Sequence, residues 1–151
     1  MLHRTYGQNC SAARALEVIG ERWTLLILRD AFLGIRRFDE FQRDLGVSRG
    51  VLTARLQWLC DEGILERRIY QERPARFEYR LTQKGRDLWP AMMALMKWGD
   101  RYESEDGAPR LVLHRGCGGE VTDHSTCAKC GAELTIHDVE TRPGPGARAA
   151  A

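Results

Sequence analysis

No stretch of this 151-residue chain approaches the roughly 20 consecutive apolar residues that a membrane-spanning helix needs. The first six residues lack the apolar core of a secretory signal. Charge of one sign is also missing: 23 Lys and Arg stand against 21 Asp and Glu, a net charge of +2, so bulk charge does not announce a nucleic-acid partner. There is no nucleophile elbow, no HExxH and no Gly-rich phosphate loop, which argues against an enzyme of the hydrolytic or nucleotide-using kinds. No internal repeat is visible. The five cysteines are odd in number and three crowd between 117 and 130, unlike a secreted disulfide framework. These absences lead to the expectation of a cytoplasmic, non-enzymatic globular protein. Its hydrophobic content of 43% suffices for a core.

What is present is a succession of short helical patterns followed by β-type segments. Cys10 to Ile19 is apolar at helical spacing and meets Gly20. A second helix is predicted from about Glu21 to Phe32, with Trp23, Leu26, Ile27 and Leu28 on a wide apolar face, ending at Gly34. A third starts near Arg37, with Phe38, Phe41 and Leu45 in register, and closes at Gly46. Ser48 is a good N-cap for a fourth, whose buried stripe is Leu52, Leu56 and Leu59 and whose C-cap is Gly63. Leu65–Tyr70 and Phe77–Leu81 read as a hairpin with a loop too long for a tight two-residue turn. Thr82 opens a last helix, to about Tyr102, in which Pro90 bends or breaks the helix. The apolar surface of this helix, with Trp89, Trp98 and Tyr102, exceeds what a small domain covers, so a homodimer seam shared with the first helix is expected.

A short helix, a Gly turn, a Ser-capped helix and a basic β-ribbon are the parts of a winged helix-turn-helix, which sets one helix in the DNA major groove. Five arginines against two acids between 67 and 80 give the ribbon its charge. With the leucines inward, the outward set on the fourth helix is Arg49, Gly50, Thr53, Ala54 and Gln57, with Arg55 at the margin. Arg pairs bidentately with guanine, Gln with adenine, and the Thr methyl can touch thymine. Arg73 and Arg76 at the hairpin tip would reach phosphates or an adjacent minor groove, and Arg36 and Arg37, at the start of the third helix, are candidate phosphate contacts. The DNA-binding set is therefore Arg36, Arg37, Ser48, Arg49, Gly50, Thr53, Arg55, Gln57, Arg73 and Arg76.

Several ordered segments resemble the HxlR-type transcriptional regulators, a MarR-related winged-helix family. They are Cys10 with Ala15 to Asp30, then Arg37-Phe38-Asp39-Glu40-Phe41, Val51 to Leu56, Glu78-Tyr79-Arg80-Leu81-Thr82 and Lys84-Gly85-Arg86. The resemblance covers about residues 10–103. It implies a regulator that binds pseudopalindromic double-stranded DNA as a homodimer built from its first and last helices. It also makes Cys10 a position at which some members sense oxidants. Chemically that needs an accessible thiol with thiolate character; a small cysteine buried at a dimer seam is the alternative. Cys60 reads as packing.

His114-Arg115-Gly116-Cys117-Gly118 and Cys127-Ala128-Lys129-Cys130-Gly131 are two knuckles separated by nine residues. They suit a closed, structural Cys₃His zinc site of the zinc-ribbon type, with ligands His114, Cys117, Cys127 and Cys130. His124 is the competing fourth ligand. A β-appendage without metal is the plainer alternative. The expected organisation is a winged-helix domain over 1–104, a linker at 105–109, the ribbon over 110–140 and a disordered tail at 141–151, in an α+β fold. A redox enzyme using Cys127 and Cys130 would need a thioredoxin-like βαβ context, which is absent. A winged helix that binds protein instead of DNA stays open, as do the operator, the sign of regulation and the effector.

Overall fold

A computed structural model describes residues 5–148. The helices are α1 (Ser11–Ile19), α2 (Thr24–Phe32), α3 (Phe38–Leu45), α4 (Arg49–Asp61), α5 (Gln83–Arg86) and α6 (Trp89–Tyr102). The strands are β1 (Leu65–Gln71), β2 (Arg76–Leu81), β3 (Arg110–His114) and β4 (Val139–Pro143), forming two antiparallel pairs, β1 with β2 and β3 with β4. The α+β class expected from the sequence is what the chain adopts. It divides into two compact units, one ending at Arg86 and the other beginning at Asp87.

In the first unit, the helical faces predicted from apolar spacing close on one core in part: Leu26, predicted on the apolar face of the second helix, is instead 37% exposed. Ile27, Leu28, Phe41, Leu52, Leu56 and Leu59 are fully buried, each worth about 1.5–3 kcal/mol of transfer free energy. Ser48 caps α4, its Oγ accepting the Val51 N–H at 3.3 Å. At the other end Gly63 has φ +68, and the Gly63 and Ile64 N–H groups donate to Cys60 and Leu59 carbonyls at 3.0 and 2.9 Å. This double bond pattern requires a left-handed residue, and it turns the chain straight from α4 into β1. The hairpin pairs Leu65 with Leu81 and Ile69 with Phe77, then shifts register between Ile69 and Gln71. A bond from the Tyr79 N–H to the Arg36 carbonyl, 2.7 Å, ties the ribbon to the entry of α3.

The long terminal helix is broken. Of the two outcomes expected for Pro90, a bend or a break, the break occurs: α5 stops at Arg86, and Pro90 sits in the first turn of α6, where its missing N–H has no partner to lose. The unit boundary falls at this break, not in the 105–109 segment expected to be a linker. That segment belongs to the second unit. The Gly144 N–H donates to Pro109 O at 3.0 Å and the Gly146 N–H to Ala108 O at 3.1 Å. The stretch predicted as a disordered tail from 141 is thus ordered through Arg148: β4 runs to Pro143, and a turn follows it. Composition alone does not carry these backbone pairings. The last three positions of that tail, 149–151, lie outside the described residues.

Candidate nucleic-acid interface and metal centre

The sequence-predicted residues of α4 sort cleanly by helix face. Arg49, Gly50, Thr53 and Gln57 are exposed, as is the capping Ser48. Arg55 is not. It is only 7% exposed and its Nε lies 3.7 Å from Glu21 Oε2. Position 55 follows Leu52 by three and precedes Leu59 by four, which carries it to the inner edge of the helix. Arg55 is therefore corrected from a DNA-facing candidate to a buried residue facing Glu21. Gln57 is exposed and donates to Asp61 Oδ1 at 2.8 Å, a bond that a base edge would have to replace.

Arg36 and Arg37 at the entry to α3, and Arg73 and Arg76 at the ribbon tip, are all exposed. None of the four, nor Arg49, forms an ion pair among the described residues, whereas Arg29, Arg68 and Arg80 are tied to carboxylates. Two of them instead lie over aromatic rings, Arg37 over Tyr70 at 4.6 Å and Arg49 over Phe38 at 4.8 Å, and on the ribbon Arg67 lies over Phe77 at 4.0 Å. The sequence reading missed these stacks because each joins different elements or strands, and it assigned Phe38 to the apolar stripe alone.

A buried carboxylate lies beneath the helix pair. Asp30 is fully buried on α2. Its Oδ1 accepts from Arg29 Nε and Nη2 at 2.8 and 2.6 Å, while Oδ2 has no partner. Arg29 Nη2 also reaches Asp44 Oδ2 on α3 at 2.8 Å. Desolvation outweighs the Arg29 hydrogen bonds and raises the Asp30 pKa to about 6.

Cys10 occupies the N-cap of α1 and is exposed. The backbone N–H groups of Ala13 and then Ala12 favour its thiolate and hold its pKa below the usual thiol value. Cys60 differs: burial pushes its thiol up, in keeping with packing.

In the second unit, β3 leads into the first knuckle, and short bridges (Leu113 to Glu120, Val121 to Cys127, Thr126 to Glu133) fold the second against it. The donor atoms of His114, Cys117, Cys127 and Cys130 all lie within 4.8 Å of one another. Cys117 Sγ is 3.4 Å from Cys127 Sγ and from His114 Nδ1, and Cys130 Sγ is 3.4 Å from the same nitrogen. A tetrahedral centre with Zn–S bonds of about 2.3 Å has sulfur atoms near 3.8 Å apart, so the donors are spaced to enclose one small ion. Backbone N–H groups of Cys130 and Lys129 favour the Cys127 thiolate and lower its pKa to about 6, whereas the Cys117 thiol, against Cys127, is pushed up. Gly119 lies close by, and a Cβ there would meet Cys127 Sγ at 2.5 Å. His124 is outside the cluster, exposed and paired with Asp123 at 2.8 Å.

The HxlR-like helix-turn-helix family model matches residues 18–107, and the chain belongs to that family. An uncharacterized HTH-type transcriptional regulator of Mycobacterium tuberculosis, Rv3095, is 47% identical over 148 residues, 97% of this chain and 92% of that protein. Among solved structures, PA1607, described as a candidate transcription factor, superposes with a TM-score of 0.71 at 38% identity, covering 87% of this chain and 93% of its own. The redox regulator HypR in its oxidized form gives 0.57 at 33% identity, covering 61% of this chain and 96% of its own. The cysteine-bearing extension lies beyond the family match, yet Rv3095 aligns across it. The chain is a transcriptional regulator of the helix-turn-helix type. No helix among the described residues is long and apolar enough to cross a membrane.

Proposed function

We propose that this regulator binds double-stranded DNA as a homodimer, placing α4 of each copy in successive major grooves of a pseudopalindromic operator and acting in the cytoplasm as a repressor. The observation that carries the reading is the exposed face of α4 (Arg49, Gly50, Thr53, Gln57), together with exposed Arg36, Arg37, Arg73 and Arg76, whose charges are uncommitted to carboxylates among the described residues. Unpaired guanidinium groups attract a polyanion, which releases its counterions on binding. For the dimer, α1 leaves Leu16 50% exposed, and α6 leaves Leu95, Trp98 and Tyr102 at 49, 54 and 61%. Apolar side chains of this size favour burial against a second copy.

His114, Cys117, Cys127 and Cys130 hold a structural zinc ion. All four ligands come from protein, which leaves no open position for chemistry, so the site fastens the knuckles and is not catalytic. Zinc binding would supply folding free energy to a segment whose aliphatic core is small: Val112, Leu113, Val121, Leu134 and Val139.

Selection of a randomised duplex library by the purified protein tests the DNA reading. Enrichment of a two-fold symmetric sequence with half-sites about 10 base pairs apart supports it. Enrichment of no sequence leaves the winged helix as a protein-binding module. Cys10 supports a second reading, thiol-based sensing, because it is exposed and its thiolate is favoured. Retention of operator affinity after stoichiometric hydroperoxide, in wild type and Cys10→Ser alike, would remove that reading.

A further inference from the structure

The Arg49 side chain makes no hydrogen bond or ion pair among the described residues, and its Cζ lies 4.8 Å from the centroid of the Phe38 ring. Arg49 is the first residue of α4 and Phe38 the first of α3. The stack therefore joins the starts of the two helices of the motif. Phe38 is half-buried and Arg49 exposed. The α3 start is itself fixed, because Glu40 accepts the Arg37 backbone N–H at 3.1 Å and the Tyr79 N–H holds the Arg36 carbonyl. A ring on so restrained a backbone is a firm rest for a flexible side chain.

We propose that Phe38 is a positioning residue for sequence reading. Its ring holds the Arg49 guanidinium by the face, leaving the N–H edge free for the paired acceptors of one guanine in the major groove. This rests on the DNA-binding reading above and extends it to the source of specificity. A carboxylate partner would occupy the same donors that a base needs, whereas an aromatic face does not. Bidentate pairing to guanine O6 and N7 needs the planar fork at a set angle, and a side chain already held there loses less freedom on binding. Phe38 need not touch DNA.

The test is fluorescence anisotropy on the duplex that wild-type protein enriches, and on duplexes changed at each base pair of a half-site. Arg49→Ala locates the step that Arg49 reads, as the one position where discrimination is lost. At that step Phe38→Leu is expected to lower discrimination roughly two- to fivefold. Discrimination elsewhere and the salt dependence of binding stay as in wild type, and Phe38→Tyr restores the lost preference. In the Arg49→Ala background, Phe38→Leu has no further effect. A thermal melt reports whether Phe38→Leu remains folded, and Phe38→Met carries the same expectation if it does not. The proposal is overturned if the folded Leu or Met variant discriminates like wild type at the Arg49 step, or weakens binding equally at every step. Failure of the wild type to enrich any duplex overturns the DNA reading itself, and is seen before any Phe38 variant is made.

Discussion

Asp30→Asn isolates the most strongly perturbed carboxylate of the helix-turn-helix unit. The wild-type side chain is fully buried, its Oδ1 bonded to Arg29 and its Oδ2 without a partner. Burial raises its pKa from 3.8 to about 6, which is on the order of 3 kcal/mol at 1.36 kcal/mol per pH unit. The fold thus binds this proton more tightly than the unfolded chain does. The cost of the ionised group is fully present above pH 6, is relieved as pH falls, and is gone below about pH 4. Asparagine keeps the shape and removes the charge. The variant should therefore be more stable than wild type at pH 7, with the gap narrowing by about 1 kcal/mol from pH 7 to pH 5. Urea unfolding followed by far-UV circular dichroism at half-unit pH intervals gives this difference, and common pH effects cancel. A gap that stays constant, or widens toward pH 5, would refute the assignment of an unfavourably buried charge.

Three further outcomes follow from individual side chains. Ser48→Ala removes the acceptor for the Val51 N–H and should lower stability by about 1 kcal/mol in the same unfolding assay. Cys127→Ser deletes one of the four donors. Wild-type protein expressed with zinc should carry about one ion per chain by elemental analysis and the variant almost none, with a lower melting temperature; equal zinc content in both would place the ion elsewhere. Arg73→Ala and Arg76→Ala should weaken binding of all duplexes alike and reduce the log–log salt slope by about 0.9 for each phosphate no longer neutralised. A base-selective effect would instead put the ribbon tip in a groove.

Where one helix face or one short segment decides the outcome, the sequence is readable. The leucine stripe of α4, the Ser48 cap and the left-handed Gly63 follow from period, hydroxyl and missing Cβ, each visible in a few neighbouring residues. The His114, Cys117, Cys127 and Cys130 cluster is readable for the same reason: two knuckles carry their spacing within themselves, and only the register between them is left to the fold. The misreadings lie where distant segments meet. Arg55 is one helix position from the leucine stripe, and its inward partner, Glu21, is 34 positions away. The backbone pairing of Gly144 and Gly146 with 108–109 leaves no apolar signal, so a Gly- and Pro-rich stretch reads as tail. The Phe38–Arg49 stack is hidden because an aromatic at helical spacing serves core and surface at once.

The central claim, that α4 reads DNA sequence, is met most directly by capturing genomic fragments with purified protein and sequencing them, in parallel with Arg49→Ala. Wild-type protein should enrich a two-fold symmetric site, and the variant should lose it. Equal recovery of unrelated fragments by both proteins would contradict that claim.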